Sequence, residues 1–164
     1  MSFTDTIDNT QEYIDSRDVI ARIEYLEGVR QDLEDELEVA QDELEHATSE
    51  QEEQDAQERI EEAEFDLHQF DDGDEGEELE VLKALQDEAK DSPDWEYGET
   101  LIHEDSFTDY IEELINDCYN LPKELDSGEW PYRHMTIDYE AAAEEAKQDY
   151  LEVDFAGETY YIRG

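Results

Sequence analysis

The sequence predicts an α+β protein: an N-terminal acidic helical hairpin or coiled coil, then a small domain of two or three helices on a short antiparallel β-sheet. Three observations predict it. Apolar residues recur at coiled-coil spacing between residues 19 and 70. Of the 17 aromatic residues, 12 lie in residues 81–164, where a compact core must therefore form. Two β-type runs flank Ala156-Gly157 close to the C-terminus. These divide the chain into an acidic rod over 1–70, an acidic hinge and short helix over 71–94, and a compact α+β domain over 95–164.

In the rod, Val19, Ile23, Leu26, Leu33, Leu37, Ala40, Leu44 and Ala47 follow alternating spacings of four and three, with Arg30 in the one vacant place. This is the a/d seam of a coiled coil. Ser16 is the expected N-cap, with Asp18 in the first turn. A second stripe, Ala56, Ile60, Ala63, Leu67 and Phe70, does not continue the phase of the first. The break at "ATSEQEEQ" favours a helical hairpin, with Ser49 and Glu52 as a capping box for its second helix. One long helix with a stutter is the alternative.

"DDGDEGEELE" (71–80) follows, with seven carboxylates and two glycines. As a calcium loop with its glycine on Gly76, it would place Gly73 at ligand position 3 and Leu82 at position 12, so it lacks the bidentate glutamate. It reads instead as a bend. "LEVLKALQDEAK" (79–90) is a short helix that "SPDW" stops. "WEYGETLIHED" is extended. Ser106 with Asp109 is the expected cap of a helix over 107–118, whose Phe107, Tyr110, Ile111, Leu114 and Cys118 share a buried face. "NLPKELDSGEWPY" is a loop, Asp138 caps "YEAAAEEAKQDY", and "YLEVDFAGETYYIR" is a hairpin.

Charge constrains function more than any motif does. The chain has 54 acidic and 10 basic residues, a formal charge of -44. Phosphates would be repelled, which argues against direct nucleic-acid or anionic-membrane binding and favours a basic partner. A salt-adapted protein is a further reading of the same charge. Cys118 is the sole cysteine, which excludes an intrachain disulfide and suits an intracellular setting. No apolar run is long enough to span a bilayer, and "MSFTDTIDNTQEY" has no signal-peptide pattern. A soluble, cytoplasmic protein is expected.

No enzyme signature is present. His46, His68, His103 and His134 lack paired metal-ligand spacing, no carboxylate pair stands out as acid and base, and no nucleophile elbow or P-loop occurs. Neither a metal nor another cofactor is expected. The Tyr and Trp residues read as core, because the surrounding charge would repel a stacked nucleic-acid strand.

"SFTDYIEELINDCYNLP" with "MTIDYEAAAEEAKQDYLEVDFAGETYYIR" resembles the C-terminal domain of ArdA antirestriction proteins, over about residues 100–164. The shared features are an acidic helix, an "IDYEAAA" helix start, an acidic-aromatic "DY" and a closing hairpin. The resemblance implies a cytoplasmic DNA mimic of phages or mobile elements, elongated, often dimeric and cofactor-free. Such proteins occupy the DNA-binding groove of type I restriction-modification enzymes. The family's N-terminal and middle domains are replaced here by the rod.

The rod's charge is of the size mimicry needs. Residues 16–47 carry a net of -8 and residues 50–72 a net of -10. Folded together over about 48 Å of helix, they give about two-thirds of the charge of the matching B-DNA segment. Ordinary solvated helices mix both signs at i,i+4 spacing, and this rod does not. The candidate phosphate-mimicking carboxylates are Glu34, Asp35, Glu38, Asp42, Glu45, Glu52, Glu53, Glu61 and Glu62 on the rod, with Asp71, Asp72, Asp74 and Glu75 at the bend. Glu112, Glu113, Glu144 and Glu145 are candidates on the C-terminal helices.

The expected function is inhibition of a DNA-binding host defence enzyme, most directly a type I restriction complex. The expected partner is that enzyme's basic DNA-binding groove, with homodimerisation open. A coiled-coil adaptor and an inhibitor of another DNA-gripping system, such as a CRISPR effector, are the alternatives.

Overall fold

The computed structural model describes residues 5–164. The protein is α+β, with five α-helices and one four-stranded antiparallel sheet among the described residues. It divides into two compact units: the segment through Ile7 with Asp18–Asp87, and Asp8–Arg17 with Glu88–Gly164.

The first unit is helical. Helix α1 is Ser16–Glu45, α2 is Glu50–Asp72 and α3 is Asp74–Ala89. The chain between 46 and 49 leaves the helix where the apolar stripe loses phase. Ser49 is the N-cap of α2, its hydroxyl accepting from the Glu52 N–H at 3.2 Å. The Glu52 carboxylate reaches back to the Thr48 N–H at 2.8 Å, one residue earlier than a capping box requires. These bonds satisfy two amides at the helix start that otherwise have no partner.

The expected cap of α1 is corrected. Ser16 is buried within the helix start, and its hydroxyl accepts from the Glu99 N–H at 2.8 Å. Asp15 takes the capping role, accepting from the Arg17 N–H at 2.9 Å. Its carboxylate also binds the Arg17 guanidinium at 2.7 and 3.1 Å, which holds its pKa below the usual value.

The bend over 71–80 is corrected too. Only Gly73, in an extended conformation, separates α2 from α3, and helix resumes at Asp74, five residues before the expected start at 79. Gly76 lies inside the first turn of α3 and is buried. A Cβ there would stand 2.4 Å from the Phe70 carbonyl oxygen and 2.6 Å from that of Asp71. Glycine at 76 thus serves a close backbone approach between successive helices rather than a flexible linker.

The seam is only partly enclosed. Val19, Ile23 and Leu26 are buried, as are Ala40, Ala56, Ala63 and Phe70, but Leu33, Leu37, Leu44, Ile60 and Leu67 are half-buried. Leu79, Leu82 and Leu85 of α3 are buried, and α3 is tied to α1 at Arg22–Glu78 and Glu27–Lys83.

The second unit carries the sheet, in the order β1-β2-β4-β3. Strands β3 (Tyr150–Phe155) and β4 (Glu158–Arg163) form the expected hairpin, with Phe155 opposite Glu158. Ala156 and Gly157 both have positive φ, as a type I′ turn requires. Strand β2 (Thr100–His103) pairs with β4 through Ile102–Tyr161 and His103–Tyr160. Strand β1 (Tyr13–Asp15) adds to the free edge of β2, and sequence reasoning gave no strand there. Three residues are too few to show alternation.

Helix α4 is Phe107–Cys118 and α5 is Tyr139–Ala146. Phe107, Ile111 and Ala143 form a core with Ile102 and Tyr161 of the sheet. Phe107 meets Tyr150 edge-on at 5.1 Å and Tyr161 at 4.8 Å, favourable aromatic geometries. Asp138 caps α5 as expected, accepting from the Ala141 N–H at 3.0 Å. Ser106 precedes α4 but makes no side-chain cap bond, because a 3-10 turn over Glu104–Ser106 already leads into the helix. Cys118, expected on the buried face, is exposed at the last turn of α4.

Candidate functional site

The first unit presents a strongly acidic surface. Glu, Gln, Leu and Ala are strong helix formers, so α1 and α2 follow from their composition. The arrangement of charge does not. Acids in the first turns of α2 and α3 complement the helix dipole, but none of the three helices has a base in its last turn. Glu45 and Asp72 stand where helix stability alone would favour cations.

The first unit holds 29 acids and four bases. Every one of those bases is paired within the unit. Arg22 binds Glu78, Arg30 binds Glu34 and Asp71, Arg59 binds Glu43, and Lys83 binds Glu27 at 3.0 Å. The Arg30 guanidinium contacts Asp71 at 2.8 and 3.1 Å and holds that carboxyl below its usual pKa. The four cations are thus spent on joining helices, and a net charge of -25 remains on the unit.

The candidate carboxylates fall into three groups. Glu38, Asp42, Glu45, Glu53, Glu61, Glu62, Asp74 and Glu75 are exposed. Others are engaged locally: Glu34 and Asp71 on Arg30, Asp35 with Gln31, Glu52 with Thr48, and Asp72 with His68. The rest lie in the second unit, on α4 (half-buried Glu112, exposed Glu113) and α5 (exposed Glu144 and Glu145). Glu144 binds Lys147 at 2.7 Å. Sequence reasoning missed Glu36, Glu50, Asp55, Glu58 and Glu64, which are equally exposed on α1 and α2. Their positions off the apolar stripes were the available signal.

The histidines serve local structure where they are held. His103 is nearly buried, accepts from the Asp105 N–H through Nδ1 at 3.1 Å, and places Nε2 3.0 Å from Glu158. That arrangement makes Nε2–H the donor and ties β2 to β4. No cluster of three or more metal-ligating side chains occurs among the described residues. None of the described helices is long and apolar enough to cross a membrane. No protein-family model, curated protein or solved structure matches the chain.

Proposed function

We propose that this protein is an ArdA-like DNA mimic that inhibits a DNA-binding host defence enzyme, a type I restriction-modification complex before others. The observation that carries the reading is the balance of the first unit: all four bases are consumed internally, a net charge of -25 remains, and most of the acids are exposed. Like charges at such density oppose folding, so a surface kept this acidic suits a partner that grips phosphates. We read α1 and α2 as an antiparallel hairpin. The pairs Glu43–Arg59 and Arg30–Asp71 support this, since residue numbers rise along one helix as they fall along the other.

Binding to a purified type I methyltransferase complex tests the proposal. Affinity should fall steeply between about 50 and 200 mM salt, as DNA binding does. Absence of binding at low salt, or binding indifferent to salt, would sink it. Replacing Glu38, Asp42, Glu53 and Glu61 by lysine should abolish inhibition. If function survived that change, the coiled-coil adaptor reading would take its place.

A further inference from the structure

The acidic surface of the first unit is interrupted by a groove of about 430 Å³ between α1 and α2. Its floor is Val39, Ala40 and Ala63, and its walls include Asp35 and Glu36 on one helix and Glu62 and Asp66 on the other. Val39 is 57% exposed although it is a branched aliphatic residue. It lies off the a/d stripe, so the seam does not use it. Alanines at 40 and 63 keep the floor low, and the Arg59–Glu43 ion pair lies at the groove's lining.

We propose that this groove docks a cationic amphipathic helix presented by a partner protein. An apolar side chain of that helix would fill the space above Val39, Ala40 and Ala63. Lys or Arg residues three and four positions away would flank it and meet the carboxylates of the two walls. The charge decides among occupants. Residues 33–67 carry 16 acids and one base, which repels an anionic ligand and a second copy of this chain. A free cation would gain nothing from the apolar floor. The inference rests on the reading that the acidic rod meets a basic protein, and it adds that the contact includes an apolar anchor which salt does not screen.

The test uses the full chain and two fluorescent 18-residue peptides of Leu and Lys with the same composition. One spaces its leucines at i, i+3, i+4 and i+7, and the other scatters them so that no apolar face forms. Affinities are measured by anisotropy in 300 mM NaCl, where charge attraction is weakened. The patterned peptide should bind about tenfold more tightly, the gain expected from burying one aliphatic side chain. Val39→Asn, an exposed substitution that leaves the seam intact, should remove most of that advantage and leave the scattered peptide unaffected. Amide shifts should localise to residues 35–43 and 59–66, and the patterned peptide should gain helicity when bound. Equal affinity for the two peptides, an unchanged advantage in Val39→Asn, or binding without helix formation would overturn the proposal. Any of these outcomes would leave salt-dependent binding to the methyltransferase complex standing, so the two readings fail separately.

Discussion

The guanidinium of Arg22 meets the carboxylate of Glu78 at two points, Nε to Oε2 at 2.9 Å and Nη2 to Oε1 at 2.8 Å, with both side chains nearly buried. Glu78 also accepts from the Ile7 N–H at 3.3 Å, and its hydrogen bonds raise the Arg22 pKa above the ordinary value. The pair fixes α3 against α1, the two helices that carry the fully enclosed Val19, Leu26, Leu82 and Leu85. Glu78→Ala leaves a cation in that site and should cost about 3 kcal/mol in urea unfolding at pH 7. The double change Arg22→Met with Glu78→Leu should recover most of it. A loss under about 1 kcal/mol for the single variant would mean that water solvates the pair.

Two glycines should respond in opposite directions to alanine. Gly28, exposed within α1, has nothing within 4 Å of a new Cβ. Gly28→Ala should therefore stabilise by about 0.5–1 kcal/mol through helix propensity and a less flexible unfolded chain. Gly76→Ala drives a methyl group into the Phe70 and Asp71 carbonyls and should cost about 1–3 kcal/mol. Thermal melts of the two variants side by side provide the check, and a stabilised Gly76→Ala would refute the close approach.

The β3–β4 turn carries a removable strain. Ala156 has φ of 51°, a left-handed conformation in which its Cβ is crowded. Asparagine tolerates that region and is favoured before glycine in type I′ turns. Ala156→Asn should gain about 0.5–1 kcal/mol, seen as a melting temperature higher by about 1–4 °C. No gain would indicate that the turn relaxes without help.

Alkaline stability should depend on buried tyrosines. Tyr160 is fully buried, its hydroxyl donates to the Gln11 carbonyl at 2.6 Å, and burial pushes its pKa up to about 12. Burial pushes Tyr150 up to about 12 as well. Unfolded tyrosine loses its proton near pH 10. Between those values the unfolded chain releases protons that the native state keeps, so stability is intact below about pH 10 and falls as pH rises toward 12. The slope is at most about 1.4 kcal/mol per pH unit for each tyrosine. Tyr160→Phe should flatten the profile of urea midpoints from pH 9 to 11.5. An unchanged slope would assign the alkaline loss to general charge repulsion.

Local signals were legible where one segment sufficed to set the structure. The stripe from Val19 to Ala47, the loss of phase before Ala56, the Ser49 and Asp138 caps and the Ala156-Gly157 turn each lie within a few residues of what they specify. The exposure of most of the rod's acids was legible, because it follows from being off the apolar stripe. Which acids are tied to bases was not, since Arg30 reaches Asp71 across 41 residues.

By itself the sequence determined α1, α2, α4, the closing hairpin and a large negative charge, since propensity, periodicity and net charge are properties of short segments or simple sums. Only the tertiary structure decided that Tyr13–Asp15 joins the sheet beside Thr100–His103 and that the acidic stretch at 71–80 is mostly helix packed through Gly76. It also decided that Val39 lines an open groove while Ala40 beside it is buried. Each of these depends on which distant backbone comes close, and pairings of that kind are selected by the burial and hydrogen bonding of the whole chain rather than by any local pattern.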